Sequence, residues 1–259
     1  MVKALDQAEK LVATKYLISM NDDILVTPNW LEDLIKIYES DPKIKLLSPI
    51  KPGTKVKYPY KDASTRQVWD EIKQNTSDPK EMLVQFRAGN NYETLIEDIK
   101  NVNGMQNEYL ECPPDFVAGC CILTETDFMK EIGGFSDTRF DLYGAEDVDR
   151  SWRVGKAGYA VVKTSKVYVH HFEGFSVKQN SLNTKKFLKK NNRELVRKWR
   201  SSFWKILSQK VAELGELRAV VEKYWIIGWI LESLEPEDIP VDQKDKIAEF
   251  LKDYPRKLA

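Results

Sequence analysis

Residues 16–50 read YLISMNDDILVTPNWLEDLIKIYESDPKIKLLSPI, and this stretch decides the fold. YLISM is a short apolar run that stops sharply at Asn21-Asp22-Asp23, the pattern of a buried strand with acids at its carboxyl end. Thr27-Pro28 reads as an N-cap with proline at the first helical position. The helix it opens, PNWLEDLIKIYES, ends before Asp41-Pro42, where proline blocks continuation. KIKLLSPI is a second strand. Strand, helix, strand makes one unit of an α/β sheet.

Working outward, residues 3–13 read as a helix with Leu5, Ala8, Leu11 and Val12 along one face. After a Gly/Pro loop near 52–59, the segments QVWDEIKQ, PKEMLVQF and YETLIEDIKNV predict a helical insertion over one face of the sheet, about residues 60–110. FVAGCCILT returns as a buried strand, and TDFMKEIG as a helix stopped by Gly133-Gly134. EDVDRSWRVGKAG is a further helix closed by Gly158, and YAVVKTSKVYVHH reads as two short strands. From Thr184 onward the pattern is helical, broken at EPEDIP (235–240). The expected division is a sheet-based domain over 1–199 and a C-terminal helical extension over 200–259.

Composition bounds the function classes. The 259 residues carry 40 basic and 40 acidic side chains, so no global field points to nucleic acid as a partner. With 42% hydrophobic and 31% charged residues the chain is too apolar for disorder. The three cysteines, Cys112, Cys120 and Cys121, form neither a disulfide framework nor a zinc spacing, which predicts a reducing compartment. The first residues lack an apolar signal core, and YWIIGWIL (224–231) is too short to span a bilayer. A cytoplasmic protein is expected. The basic, aromatic stretch at 185–205, KKFLKKNNRELVRKWRSSFWK, keeps attachment to a membrane surface open beside the plainer reading of a solvated helix face. For residues 211–234, core packing or a subunit contact is expected.

Three polar clusters sit at predicted strand ends or helix starts, where open α/β sheets bind ligands. Asn21-Asp22-Asp23 offers oxygen ligands to a hard divalent ion, or is simply a turn. Glu146-Asp147-Val148-Asp149 lies in the first turn of a helix, where the macrodipole stabilises acids without any function, or where one carboxylate serves as a general base. His170-His171, the two histidines of the chain, end a strand and precede Phe172-Glu173-Gly174-Phe175-Ser176, as structural imidazoles or as ligands.

Taken in order, NDDILVTPNWLEDLI, then FVAGCCILTETDFMKEIGGFSDTRFDLYGAEDVDRSWRVGKAGY, then VYVHHFEGFS resembles the family-two inverting glycosyltransferases of GT-A fold, over residues about 3 to 199. The resemblance implies a truncated GT-A-type mixed sheet flanked by helices, with only the last helix and strand of the nucleotide-binding N-terminal half present. A fragment, a partner-completed enzyme and a reduced relative would each give that pattern. It also implies residue roles. Asp23 matches the acid that coordinates the divalent metal, Mn²⁺ or Mg²⁺, with Asp22 beside it toward the nucleotide. Asp147 matches the catalytic base, with Glu146 beside it toward the acceptor. His171 fits the H-x-x-G-x-S register as a metal or diphosphate contact. Gly119 matches the small residue that lets an acceptor approach, Arg153 is taken as the substrate-binding arginine of the helix, and Lys198-Trp199 resembles the pair that closes the domain.

The function so implied is transfer of a sugar, with inversion, from a nucleotide-sugar donor such as a UDP-sugar to a hydroxyl of a glycan, lipid-linked or protein acceptor. The missing half of the pattern leaves a sheet edge open, so a second copy or a partner chain is expected to cover it. Two other classes remain open: a non-catalytic GT-A remnant that binds a ligand or a partner, and a two-metal phosphohydrolase, which needs more metal ligands in close register.

Overall fold

The computed structural model describes residues 2–173 and 183–254. Helix α1 (Val2–Leu11) leads into strand β1 (Tyr16–Met20), a short strand β2 (Ile24–Val26), helix α2 (Trp30–Glu39) and strand β3 (Ile44–Ile50). The insertion follows as α3 (Thr65–Asn75), α4 (Pro79–Arg87) and α5 (Tyr92–Val102). Then come β4 (Asn107–Leu110), β5 (Cys121–Glu125), α6 (Thr126–Glu131), α7 (Glu146–Lys156) and the long strand β6 (Ala160–His171). The C-terminal part holds α8 (Thr184–Leu214), α9 (Leu217–Lys223), α10 (Trp225–Ser233) and α11 (Lys244–Asp253).

The fold is mixed α/β, as expected: a six-stranded sheet in the order β1-β5-β3-β6-β2, with β4 also on β6, flanked by helices. Only β3 and β6 run parallel; β1–β5, β3–β5, β2–β6 and β4–β6 are antiparallel. All residues of β3 but Lys45 are buried, the near-continuous buried run of a strand covered on both faces. Where two strands were expected over YAVVKTSKVYVHH, one strand of 12 residues forms, and its register against β3 shifts between Pro49 and Ile50. That irregularity lets the first part of β6 pair with β3 and β4 while its last residues pair with β2.

Local chemistry explains most helix boundaries. Ser64 and Gln67 form a reciprocal capping box at α3, Asp78 caps α4 with Pro79 in its first turn, and Asn91 caps α5. The start of α2 departs from expectation. Thr27 does not cap it; its hydroxyl donates to the carbonyl of Tyr168 (3.0 Å), and Asn29 takes the cap position with φ 57. Asparagine tolerates that left-handed backbone, and Thr27 is recruited by β6 instead.

Apolar side chains collect in several clusters. Leu34, Ile37 and Tyr38 of α2 pack on one face of the sheet, and Trp69, Phe86, Leu95 and Ile99 of the insertion pack against Tyr168 of β6. Trp152 of α7 meets Trp199 and Phe203 of α8, with Ile226, Ile227, Ile230 and Leu231 of α10 completing that cluster. The apolar stretch before residue 234 is therefore core of the C-terminal helices. No helix among the described residues is long and apolar enough to cross a membrane.

Candidate functional site

The polar rim starts at the turn after β1. Backbone N–H of Asn21 donates to the carbonyl of Cys120 (2.9 Å), so this turn and the residues before β5 are held together. Strand β2 then pairs with β6 with Ile24 opposite His171, and the N–H of Phe172 donates to the carbonyl of Asp23 (3.0 Å). A register fixed by three apolar residues thus brings Asp23 and His171 face to face. His171 Nε2 lies 3.0 Å from Asp23 Oδ1 and 3.1 Å from the side-chain amide of Asn21, 150 positions away in sequence. Both side chains of the Asp23–His171 pair are about one-tenth exposed or less. Burial disfavours the imidazolium, but Asp23 and the thiol of Cys120 outweigh it and push the His171 pKa up to about 9. Asp22, by contrast, is exposed.

The second acidic cluster closes on the same segment. The N–H of Gly119 donates to Asp147 Oδ2 (3.1 Å), while the N–H of Val148 donates to Oδ1 (2.9 Å). A Cβ at residue 119 would stand 3.4 Å from the Cβ of Asp147, so glycine is what keeps this carboxylate's flank uncovered. Ala145, with φ 70, turns the chain into α7 and aims Glu146 and Asp147 from its first turn. Glu146 is buried, and its Oε2 has no hydrogen-bond partner among the described residues. Burial, then the Asp147 charge, raises the Glu146 pKa to about 7. Burial also raises that of Asp147, against the pull of Arg150 and two backbone N–H groups. Two carboxylates this close hold a proton more readily than either would alone.

The two clusters meet at residues 119–120, held by the bonds from the Asn21 N–H to the Cys120 carbonyl and from the Gly119 N–H to Asp147. Tyr143, 37% exposed, has its pKa pushed up to about 12 by partial burial and then by the charges of Asp147, Glu146, Glu173 and Asp23. His170 is not part of this arrangement. His170 turns to the opposite side, ringed by Trp69, Phe86 and Phe172 at centroid distances of 4.8–4.9 Å. Burial and the neighbouring His171 lower its pKa to about 3.

The arginine facing the acids is Arg150, which the sequence reading passed over. It is fully buried, with its guanidinium 3.7 Å over the Phe135 ring and its Nε donating to the Phe135 carbonyl (2.8 Å). One Nη has no partner among the described residues, and the charges of Glu146 and Asp147 act on it. The signal was present: an arginine three and four positions after two acids shares their helix face. Arg153 is engaged elsewhere. Its Nε donates to Asp149 (2.9 Å) and its Nη1 to the carbonyls of Ile132 and Gly134, which fixes the loop after α6. A surface recess of about 300 Å³ beside it is lined by Lys156, Lys198 and Trp199. Trp199 Nε1 and Lys198 Nζ both donate to Asp149, docking α8 on α7. Gly174 and Ser176 of the H-x-x-G-x-S pattern lie outside the described residues.

Among the described residues no group of three or more His, Cys, Asp or Glu forms a metal cage. The Asp23–His171 pair still fits one side of a divalent ion. Adjacent ligands at about 2.1 Å on an octahedral ion stand about 3.0 Å apart, and such ions complete their shell with waters and substrate phosphates. The two atoms stand 3.0 Å apart, the length of the ion pair they form without an ion.

No family model matches the sequence, and no curated protein matches it. Among solved structures, a crystal structure of GalNAc-T7 with UDP, GalNAc and Mn²⁺ is similar at 16% identity with a TM-score of 0.47, covering 97% of this chain. The chain spans 41% of that protein's length. A likeness at this level assigns neither activity nor residue roles.

Proposed function

We propose that this chain carries the metal-binding and acceptor-side part of an inverting glycosyltransferase that moves a sugar from a nucleotide-sugar donor to an acceptor hydroxyl. The observation that carries the reading is the convergence of two acid clusters on residues 119–120. The Asn21 N–H is bonded to the Cys120 carbonyl, and the Gly119 N–H is bonded to Asp147. Such transfer needs one group for the leaving diphosphate and another for the nucleophile, and the two clusters divide those tasks.

Asp23 and His171 would hold the ion, with Asp22 exposed beside them toward the nucleotide. Mn²⁺ or Mg²⁺ bound there supplies positive charge to the departing diphosphate. His171 is protonated near neutral pH in the metal-free chain, so it must release its proton to become a ligand. Asp147 accepts the proton of the acceptor hydroxyl; the two backbone N–H groups that orient its oxygens leave lone pairs for it. Glu146, one residue away and buried, sets the proton affinity of that base, and Arg150 keeps the pair from going wholly neutral. Gly119 leaves the approach to Asp147 open.

The test is calorimetric titration of the chain with UDP and UDP-sugars, with and without Mn²⁺. Metal-dependent binding that disappears in Asp23→Ala is the expected result, and transfer to an acceptor should then fail in Asp147→Asn while donor binding persists. The competing reading, a non-catalytic remnant that binds a sugar, a metal or a partner chain, predicts binding without transfer to any acceptor.

A further inference from the structure

Beside the acids lies a cluster of the opposite sign that the proposed reaction does not use. Lys51, just past β3, points its Nζ at Glu173 Oε1 (2.6 Å). Lys73 reaches Glu173 Oε2 (2.8 Å), and Arg66 approaches the same oxygen (3.5 Å). Arg66 and Lys73 lie two turns apart on one face of α3. Each also pairs with Asp70, Arg66 at 2.7 Å and Lys73 at 3.0 Å. Three cations therefore share two carboxylates. Setting Glu173 aside leaves three positive charges and the one negative charge of Asp70, a net of +2.

The cradle is built closely around its anion. Lys51 and Glu173 are each 14% exposed and Lys73 is 18% exposed, while Arg66 and Asp70, at 43% and 41%, form its open rim. Gly53 forms its floor: a Cβ there would come within 1.8 Å of Glu173 Oε1 and 2.7 Å of Lys51 Nζ, so any side chain at 53 would fill the place the carboxylate takes. Glu173 itself holds φ 47, a left-handed backbone that glutamate rarely adopts without compensation. The cradle also adjoins the acidic rim, since Glu173, which Lys51 and Lys73 hold, follows His171, the partner of Asp23, by two residues.

We infer that Lys51, Arg66 and Lys73 form a phosphate-binding subsite at the edge of the candidate active site, with Glu173 as the resident carboxylate that occupies it until a ligand phosphate takes its place. A phosphate dianion matches the +2 left when Glu173 withdraws. The affinity for phosphate rests on the cluster alone; the assignment of its source, the donor's diphosphate or a phosphorylated acceptor, rests on the proposed sugar transfer.

The experiment is metal-free titration of the full chain at low ionic strength with inorganic pyrophosphate and with glycerol phosphate, by calorimetry and by melting temperature. The unaltered protein should bind and melt higher with pyrophosphate, and Glu173→Gln should bind roughly tenfold more tightly because its competing charge is gone. Adding Lys73→Met should remove that gain. Equal affinity in the unaltered chain and in Glu173→Gln, or affinity untouched by Lys73→Met, overturns the inference. So does the absence of any melting shift in the unaltered protein, which decides the matter if Glu173→Gln does not fold. Asp23→Ala should keep the metal-free binding; its loss there would assign the phosphate to the acid cluster instead and overturn the subsite. Competition between UDP and glycerol phosphate identifies the donor as the source, and simultaneous binding identifies the acceptor.

Discussion

His170 and His171 are neighbours on β6, yet they belong to regions with opposite physics. His171 faces the polar rim, where Asp23 and Cys120 keep it charged and raise its pKa to about 9. His170 faces the insertion, where Trp69, Phe86 and Phe172 surround it and burial drops its pKa to about 3. The alternation of a strand sends successive side chains to opposite faces, so one backbone serves both a polar rim and a packed core. The aromatic region fixes where the end of β6 sits, and the polar region uses that position. If so, changes on one side should cost activity with the fold intact, and changes on the other should cost the fold itself.

The largest expected effect is on the polar side. Asp147→Asn keeps the shape and one of the two bonds that Asp147 accepts from the Gly119 and Val148 N–H groups, but removes the proposed base, so transfer should fall by about 10²–10⁴-fold. The lost second bond should cost about 1–3 kcal/mol, leaving the chain folded at assay temperature. Normal transfer rates in this variant would break the base assignment. On the aromatic side, Trp69→Ala removes a fully buried ring that packs on Phe86 and His170. Denaturant unfolding should show a loss of about 3–5 kcal/mol. A loss below about 1 kcal/mol would mean that the insertion does not anchor β6.

The two histidines should also bend the pH dependence of stability in opposite directions. His171 has a folded pKa raised from 6.5 to about 9, so its stabilisation is complete below pH 6.5 and lost as pH rises through 9. His170 has a folded pKa lowered from 6.5 to about 3, so its stabilisation is present above pH 6.5 and lost as pH falls toward 3. In metal-free protein, His171→Gln should flatten the alkaline loss, on the order of 2 kcal/mol, and leave the acid side unchanged. Denaturant midpoints across pH 4–10 would check both slopes. An unchanged alkaline slope in His171→Gln would separate it from Asp23.

Much of this division was open to sequence reading, for identifiable reasons. The unit over residues 16–50 is apolar where it is buried and punctuated by proline and acids at its ends, so strand, helix and strand declare themselves locally. The insertion helices carry their own caps at Ser64, Asp78 and Asn91. What stayed hidden depends on distant pairing. Three residues of β2 are too few for a periodic signal, yet their register against β6 is what sets Asp23 beside His171. Thr27 reads as a cap because nothing local shows that the Tyr168 carbonyl will claim it. Arg150 and Arg153 both fit a helix beside acids, and only the carbonyls of Ile132 and Gly134 decide that Arg153 is occupied elsewhere. Nothing in the string Glu173-Gly174 announces the lysines at 51 and 73.

The smallest and most discriminating effect concerns Glu146. Its pKa rises from 4.5 to about 7 on folding, so the protonated form favours the fold below pH 4.5, and that stabilisation is lost as pH climbs through 7. Above pH 7 the chain therefore holds a buried charge beside Asp147 that opposes folding. Glu146→Gln removes this charge at nearly constant shape, and at pH 8 it should stabilise the protein by about 1–2 kcal/mol. The same change withdraws the negative neighbour that helps Asp147 hold a proton, so the pH at which transfer reaches half its maximum should move toward acid. A gain in stability with an acid-shifted profile would locate Glu146 in the polar region as the group that tunes the base. A loss of stability would instead place it with His170, among residues kept for packing.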